Sequence, residues 1–478
     1  MNGEKEVHLL KENEVKSEKK KFSMPHIFVI LFMIIILASL ASYIVPAGEY
    51  ERVTMEDGRE VINPDSFKLV ESTPVGLFDF MFAVPTGLIE TAEIIFGVLM
   101  IGGMFAVIER TGIIGIGVGK LANMFSTKGL WVIPILMIPF AIITTFTGQV
   151  ELSLIYLPAI LPLMLKLGFD KVTAAGTVLV ATIAGFTVGL TSPPNLGVSQ
   201  TVSQLPLYSG MGYRIVILAT ILLVGIIFVV RYAKKVRSHP ELSITYDPSN
   251  LTQNEAMLVT DELKATTRQK LASVIVLIAF GVLLWGLFEH GWYFRELSGL
   301  YIMTGIIVGL VAGLGVSQIS ESFIEGFKNI LLGALVVGVA RGVAVVLNDG
   351  NIMDTITYAA GNLVAAMPSS VTATIMLVVQ ALLNFLIPSG SGQAMVTMPI
   401  MSGLADLSGI SRQTAVLAFL FGDGFSNIFY PTSGYFMAAL AIVGIQWSKW
   451  VKFIWPLLLI WYGLAIVFLV IAQFINYA

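Results

Sequence analysis

Three ionisable residues stand where apolar chain surrounds them. Glu151, Asp423 and Arg341 each fall within or beside long hydrophobic stretches. Such groups are expensive to keep inside a span, so they point to work on an ion or a charged solute. Glu151 comes two residues after Thr147-Gly148-Gln149, and Asp423 lies between Gly422 and Gly424, four residues before Asn427. A carboxylate in such a place binds an ammonium or guanidinium group, carries a proton, or bonds backbone N–H groups freed by a helix break. All three readings stay open at this point. Arg341 offers a planar fork of donors for a substrate carboxylate, or else serves as counter-ion to Asp423 or Glu151. Glu90, Glu93 and Glu109 are read as nearer span ends, where solvation or pairing accounts for them.

Small polar residues accompany these charges. Ser389-Gly390-Ser391-Gly392-Gln393 and Thr147-Gly148-Gln149 supply hydroxyls and allow close backbone approach. Such groups suit a carboxylate at helix N-termini or a cation held by carbonyls. Asn195, Asn427, Thr432 and Ser433 sit near prolines that interrupt helices. A sodium ion near Ser192, Asn195, Ser391 and Asn427 is one expectation, and a proton as coupling ion is the other. No further cofactor is expected.

Several function classes drop out. The chain has no cysteine, which removes disulfide, zinc–thiolate and thiol chemistry. His8, His26, His239 and His290 lie in tails or at span ends, and no H-E-x-x-H or P-loop motif occurs. An intramembrane enzyme and an ATP-driven pump are therefore disfavoured, and no nucleic-acid partner is expected. A channel stays as a remote alternative.

The chain has 478 residues, 56% hydrophobic and 12% charged, with mean hydropathy +0.84. Soluble domains carry about 25% charged residues, so the expected fold is an all-α polytopic membrane protein. Residues 1–24 read as a cytosolic tail, with Lys16, Lys19, Lys20 and Lys21 before a first span from Pro25 to Val45. That span is too long for a signal-peptide core. A second span covers about Val84 to Ile108. Two short apolar arms, Trp131–Ile143 and Leu152–Leu165, suggest a re-entrant hairpin over about 131–165. A helix broken at Thr191-Ser192-Pro193-Pro194-Asn195 follows over about 172–207. After a cytosolic linker at 231–270 come a connecting span at 271–287 and a span at Leu300–Val316. A surface segment holding Glu321, Glu325 and Lys328 and a span at Asn329–Leu347 come next. A second hairpin at about 371–404 precedes a second broken helix at about 414–445. The latter reads as interrupted at Gly422–Asn427 and again at Pro431-Thr432-Ser433. The last span is Phe453–Phe474. This layout puts the N-terminus in the cytosol and the C-terminus outside, in the cell membrane.

The halves match at a separation of about 240 residues: Gly148-Gln149 parallels Gly392-Gln393, and Pro158 and Thr173 parallel Pro399 and Thr414. The odd connecting span inverts the second copy. The first repeat is then 25–230 and the second 299–478. Inverted repeats with broken elements are a signature of secondary transporters, whose site lies near the midplane between repeats.

The stretch Asn384 to Gly434, NFLIPSGSGQAMVTMPIMSGLADLSGISRQTAVLAFLFGDGFSNIFYPTSG, resembles the YfcC-type carriers of the four-carbon dicarboxylate anaerobic carrier family. ARGVAVVLNDGNIMDTI, Ala340 to Ile356, looks like the same family. The resemblance implies a scaffold domain, a transport domain holding two opposed hairpins, an elevator-like movement and a homodimer formed through the scaffold. The family includes arginine/ornithine exchangers besides carriers named for dicarboxylates. The acids Glu151 and Asp423 tilt the expected substrate towards a basic amino acid. A proton- or sodium-coupled dicarboxylate or monocarboxylate carrier is the alternative.

Overall fold

The computed structural model describes residues 27–55, 60–125, 129–246 and 265–477. The tail at 1–24 and residues 247–264 of the expected linker lie outside the described residues. Backbone polar groups in lipid must be satisfied within the segment itself, so the apolar runs fold as helices. The first half contains α1 (Ile27–Ala41), α2 (Leu77–Glu90), α3 (Ala92–Arg110), α4 (Ile113–Met124), α5 (Val132–Thr147), α6 (Leu152–Lys166), α7 (Lys171–Val188), α8 (Val198–Val202) and α9 (Met211–Ser238). The second contains α10 (Thr267–His290), α11 (Phe294–Ala312), α12 (Val316–Asp349), α13 (Met353–Ala365), α14 (Thr372–Leu386), α15 (Gly390–Leu407), α16 (Arg412–Ser426), α17 (Gly434–Val443) and α18 (Trp447–Phe474). Among the described residues, eight helical stretches are long and apolar enough to cross a membrane, with α7 and α8 counted together.

One element order occurs twice. A long helix (α3 or α12) leads through a short one (α4 or α13) into a pair of arms (α5–α6 or α14–α15). A helix with a break follows (α7–α8 or α16–α17), then a long closing helix (α9 or α18). Packing follows the same scheme: α5 lies on α7 and α14 on α16, while α6 meets α17 and α15 meets α8. The unbroken halves α7 and α16 pack on each other. All of α7 except its first residue is buried, as is α16 from Gln413 onward. The site region therefore sits inside protein.

Elsewhere α12 is the central strut, packed on α1, α2, α3 and α17. Its 34 residues make a rod of about 51 Å, longer than a bilayer core of about 30 Å. Small residues let its backbone close on its neighbours. A Cβ on Gly326 would strike the backbone of Gly102, and one on Gly87 would strike that of Gly338.

Four expectations need correction. The fold is not purely helical: residues 46–74 contain β1 (Gly48–Glu49), β2 (Arg52–Thr54), β3 (Glu60–Ile62) and β4 (Lys68–Leu69), paired antiparallel as β1–β4 and β2–β3. This polar loop is held by Arg52, whose guanidinium bonds both Asp354 oxygens (2.9 and 3.0 Å), and by Phe67 stacked on Tyr358. The span expected at 84–108 is two helices meeting at Thr91, whose hydroxyl bonds the Gly87 carbonyl at 2.7 Å. The segment with Glu321 and Glu325 is not separate but the first turns of α12. Finally, α9 runs on through Ser238, into the region expected as linker.

A fifth difference bears on the site. The expected break at Gly422–Asn427 does not occur there; α16 is continuous to Ser426 and the chain leaves the helix only at 427–433. The glycines serve close approach instead. A Cβ on Gly422 would lie 2.6 Å from Gln380 Cβ and 2.8 Å from the Ala381 nitrogen, and one on Gly424 would strike Thr187. Glycine marks breaks and tight contacts alike, and here it lets α14 and α7 close on both sides of Asp423.

Candidate functional site

Asp423 is fully buried within α16. Asn427 Nδ2 donates to its carbonyl (2.8 Å) and its Oδ1 (3.3 Å), one helical turn on. Asn384, from the first arm of the second hairpin, donates to the Asp423 carbonyl (3.1 Å) and to Ser426 Oγ (2.7 Å). The other carboxyl oxygen, Oδ2, has no hydrogen-bond partner. No lysine, arginine or histidine pairs with Asp423 among the described residues. A buried polar group without a partner is rare and asks for an explanation.

The second hairpin tip lies directly against that oxygen. A Cβ on Gly390 would sit 3.2 Å from Asp423 Oδ2, 3.1 Å from Asn195 Cβ and 3.2 Å from the Phe186 ring. Glycine at 390 thus brings three elements together: the start of α15, the break after α7, and α16. Ser389 caps α15 by accepting from the Gly392 N–H at 3.3 Å. Ser391 is half-buried in the first turn. Gln393 points elsewhere: its Nδ-equivalent amide, Nε2, donates to the carbonyl (2.8 Å) and Oε1 (2.7 Å) of Gln380, tying the two arms together with Thr397. Its amide nitrogen is held in a cross-link within the hairpin, while its buried Oε1 has no partner.

The break after α7 is pinned by its own polar groups. Asn195 Oδ1 accepts from Ser192 Oγ and from the Leu196 N–H (2.7 Å), and its Nδ2 donates to the Phe186 carbonyl (2.9 Å). Of the four groups considered for sodium, Ser192 and Asn195 therefore hold each other, while Asn427 belongs with Asp423. In the second break, Ser433 Oγ donates to Asn427 Oδ1 at 3.3 Å, and the buried Thr432 Oγ1 has no partner.

The first hairpin tip is placed differently. Gly148, at φ +69°, caps α5 and presses on Ser192 and Pro194, and Thr147 Oγ1 folds back to the Ile143 carbonyl at 2.9 Å. Gln149 Nε2 reaches across to the Trp292 carbonyl at 3.1 Å, in the turn between α10 and α11. Glu151 starts α6 and lines a cavity of about 10 Å³ with Gln149, Tyr293 and Tyr301. Arg341 does not meet Asp423 or Glu151. Its Nε bonds Glu90 Oε2 at 2.6 Å, at the junction of α2 and α3. The helix break at Thr91 carries Glu90 and Glu93 there as exposed groups, and Glu109 lies at the far end of α3.

Tyr435 was missed from sequence. It is buried in the first turn of α17, near enough to Glu151 and Asp423 for both to act on its hydroxyl. Its position just after Ser433-Gly434 was a usable signal, as was Asn384, an amide deep in an apolar arm. A cavity of about 240 Å³ lies apart on an apolar outer face between α14, α16 and α18.

Two solved transporters overlay with the chain. The YdaH transporter of Alcanivorax borkumensis is 16% identical, with a TM-score of 0.41 over 93% of this chain and 98% of that one. MtrF of Neisseria gonorrhoeae is 14% identical, with a TM-score of 0.42 over 95% and 96%. In sequence, the chain is 32% identical to an Escherichia coli (strain K12) protein named "Putative basic amino acid antiporter YfcC", over 96% of this chain and 98% of that one. It is 28% identical to an uncharacterized protein of Haemophilus influenzae, over 93% and 96%. Residues 24–474 match the family model described as DcuC, C4-dicarboxylate anaerobic carrier. With that match over nearly its whole length, the chain belongs to the C4-dicarboxylate anaerobic carrier family and is a multi-pass membrane transporter of the YfcC type.

Proposed function

We propose that this transporter is a secondary active carrier that exchanges basic amino acids, arginine and ornithine among them, at the buried carboxylate of Asp423. The observation that carries this reading is Asp423 Oδ2, fully buried, without a partner and touched by the second hairpin tip. A guanidinium or ammonium group would supply the missing donor and the missing charge; charge-assisted bonds of this kind are about twice as strong as neutral ones. Arg341, the one base expected inside the transport region, is engaged by Glu90. A dicarboxylate would then meet an unneutralised acid. The relative's name points the same way.

The repeated element order and the crossed packing of α6 on α17 and α15 on α8 support a pair of inverted repeats. On this reading α5–α8 and α14–α17 form a transport domain that moves as an elevator against α1–α3 and α10–α12. The homodimer, the cytosolic N-terminus and the external C-terminus belong to the same proposal. The family's own description favours the second reading, a carboxylate carrier coupled to protons or sodium.

Thermal stabilisation of the purified protein separates the two. Arginine, ornithine and lysine, each with and without sodium, are expected to raise the melting temperature, and succinate, fumarate and lactate are not. The shift should vanish in Asp423→Asn. Stabilisation by the dicarboxylates alone would sink the basic-substrate reading.

A further inference from the structure

The cavity beside Glu151 is separate from the Asp423 side of the site. It lies between the first hairpin tip and α11, lined by Gln149, Glu151, Leu152, Ile155, Tyr293 and Tyr301, among others. Its volume of about 10 Å³ is at the lower limit for one water molecule, which also needs polar partners. Those partners are present. Tyr301 is 2% exposed and its hydroxyl is unpartnered. Glu151 and Gln149 supply further oxygens.

One wall of the cavity leads outward. Tyr293 is 42% exposed and lies under the field of both Glu151 and Glu93. The geometry of α3 explains this. A Cβ on Gly97 would strike the Phe294 ring, so this face of α3 rests on the start of α11. Glu93 lies four residues earlier on the same face, close enough to act on Tyr293, and is exposed at the α2–α3 junction. The titratable groups around this cavity are thus Tyr293 and Tyr301 from the α11 side, Tyr156 from α6 beside Tyr301, Tyr435 from α17, and Glu93 from α3 beyond Tyr293. No base is among them.

We propose that Glu93, Tyr293 and one water in this cavity form the route by which Glu151 exchanges its proton with solvent. The Glu151 carboxyl gives its proton to the water, which passes one of its own to the Tyr293 hydroxyl. That hydroxyl hands its proton to the Glu93 carboxylate and keeps the one received, so no phenolate forms. Tyr301 holds the water by its hydroxyl. This makes Glu151 the proton-carrying acid and Asp423 the substrate-binding one, and it rests on the site reading above.

Infrared spectroscopy of the reconstituted full-length protein tests the route without any substrate. The protonated carboxyl band that disappears in Glu151→Gln is assigned to Glu151, and its downshift is timed after a switch from H2O to D2O. Glu93→Gln and Tyr293→Phe are expected to slow that downshift at least tenfold, with Glu93→Asp restoring much of the rate. Tyr301→Phe should slow it to a similar degree. Unchanged rates in Glu93→Gln and Tyr293→Phe, or no band lost in Glu151→Gln, would overturn the proposal. Because no solute is added, a failure to transport arginine counts against the function reading and leaves this test standing.

Discussion

The two hairpins occupy matching places in the chain and meet different surroundings. The second tip, Ser389–Gly392, lies against Asp423, Asn195 and Phe186. The first tip, Gly148–Glu151, is wedged onto the α7 break on one side and bonded to Trp292 on the other. The second tip meets residues of both halves, and the first meets the α7 break and the α10–α11 turn. Equivalent positions therefore have different neighbours. The acid near the second tip is sealed from solvent with an oxygen to offer, whereas the acid after the first tip borders a cavity with an outward wall. A carrier that couples a solute to an ion needs both environments.

The strongest way to break this comparison is to neutralise each acid in turn. Asp423→Asn is expected to weaken binding of a basic amino acid by roughly 30-fold to 5,000-fold, the range for removing one partner of a buried hydrogen-bonded charge pair. Glu151→Gln should leave binding within about threefold, since its cavity has room for water but not for an amino acid. Isothermal titration with arginine reads both. Equal losses in the two variants would place both acids on the substrate and erase the division of labour.

The glycines sharpen the contrast at a smaller scale. Gly148 needs the left-handed backbone and leaves no room for a methyl group, with Pro194 Cγ 2.7 Å from the position of a Cβ. Gly148→Ala is expected to cost about 1–2 kcal/mol for the backbone and about 1–3 kcal/mol for overpacking. At Gly392, a Cβ would meet Ser389 Oγ at 3.2 Å, and the backbone is helical. Gly392→Ala should therefore cost less than about 1 kcal/mol, the cap bond being the group at risk. Chemical denaturation in detergent compares them. A smaller loss at 148 than at 392 would contradict the wedged first tip.

Much of this architecture was legible because membrane chains announce their breaks. Pro193-Pro194 cannot continue a helix, and polar tips such as Thr147-Gly148-Gln149 and Ser389–Gly392 interrupt apolar runs; the first arm, read as too short to span, is with its preceding turn 19 residues long. What was hidden depends on partners distant in sequence. Gly422 and Gly424 read as a break because sequence does not show Gln380 and Thr187 pressing on them. Arg341 read as a partner for the buried acids because Glu90, 251 residues away, looked like a span-end residue. The chain's turn at Thr91 is invisible in a continuous apolar run, and it moves Glu90 and Glu93 from the margin to the α2–α3 junction. The strands at 48–69 are two or three residues long, too short for alternation to register.

The far ends of the hairpins extend the comparison beyond the apolar region. Beyond the first hairpin, Asp170 is held by neutral donors: the Thr173 N–H and hydroxyl, Tyr232 and Ser243. Beyond the second, Asp406 is held by the Arg412 guanidinium, with Nη2 2.6 Å from Oδ2. Arg412 also donates to the Ser203 carbonyl at 3.0 Å, joining this end to α8. The hydrogen bonds from Arg412 hold the Asp406 carboxyl below its ordinary value of 3.8, against the opposing effect of its slight burial. The sign follows from that depression. The carboxylate stabilises the folded protein at pH values above about 4, and the contribution is lost as pH falls through and below that value. Asp406 is about half exposed, so solvent screening keeps the effect at the small end of surface pairs, below about 1 kcal/mol. The melting temperatures of the parent protein and Asp406→Asn should therefore differ by a degree or two at pH 7, and the gap should narrow steadily between pH 4 and pH 3. A gap that stays constant over that interval would mean that the Arg412 contact adds packing but no charge pairing, and the two hairpin ends would then differ in partners without differing in how they respond to acid.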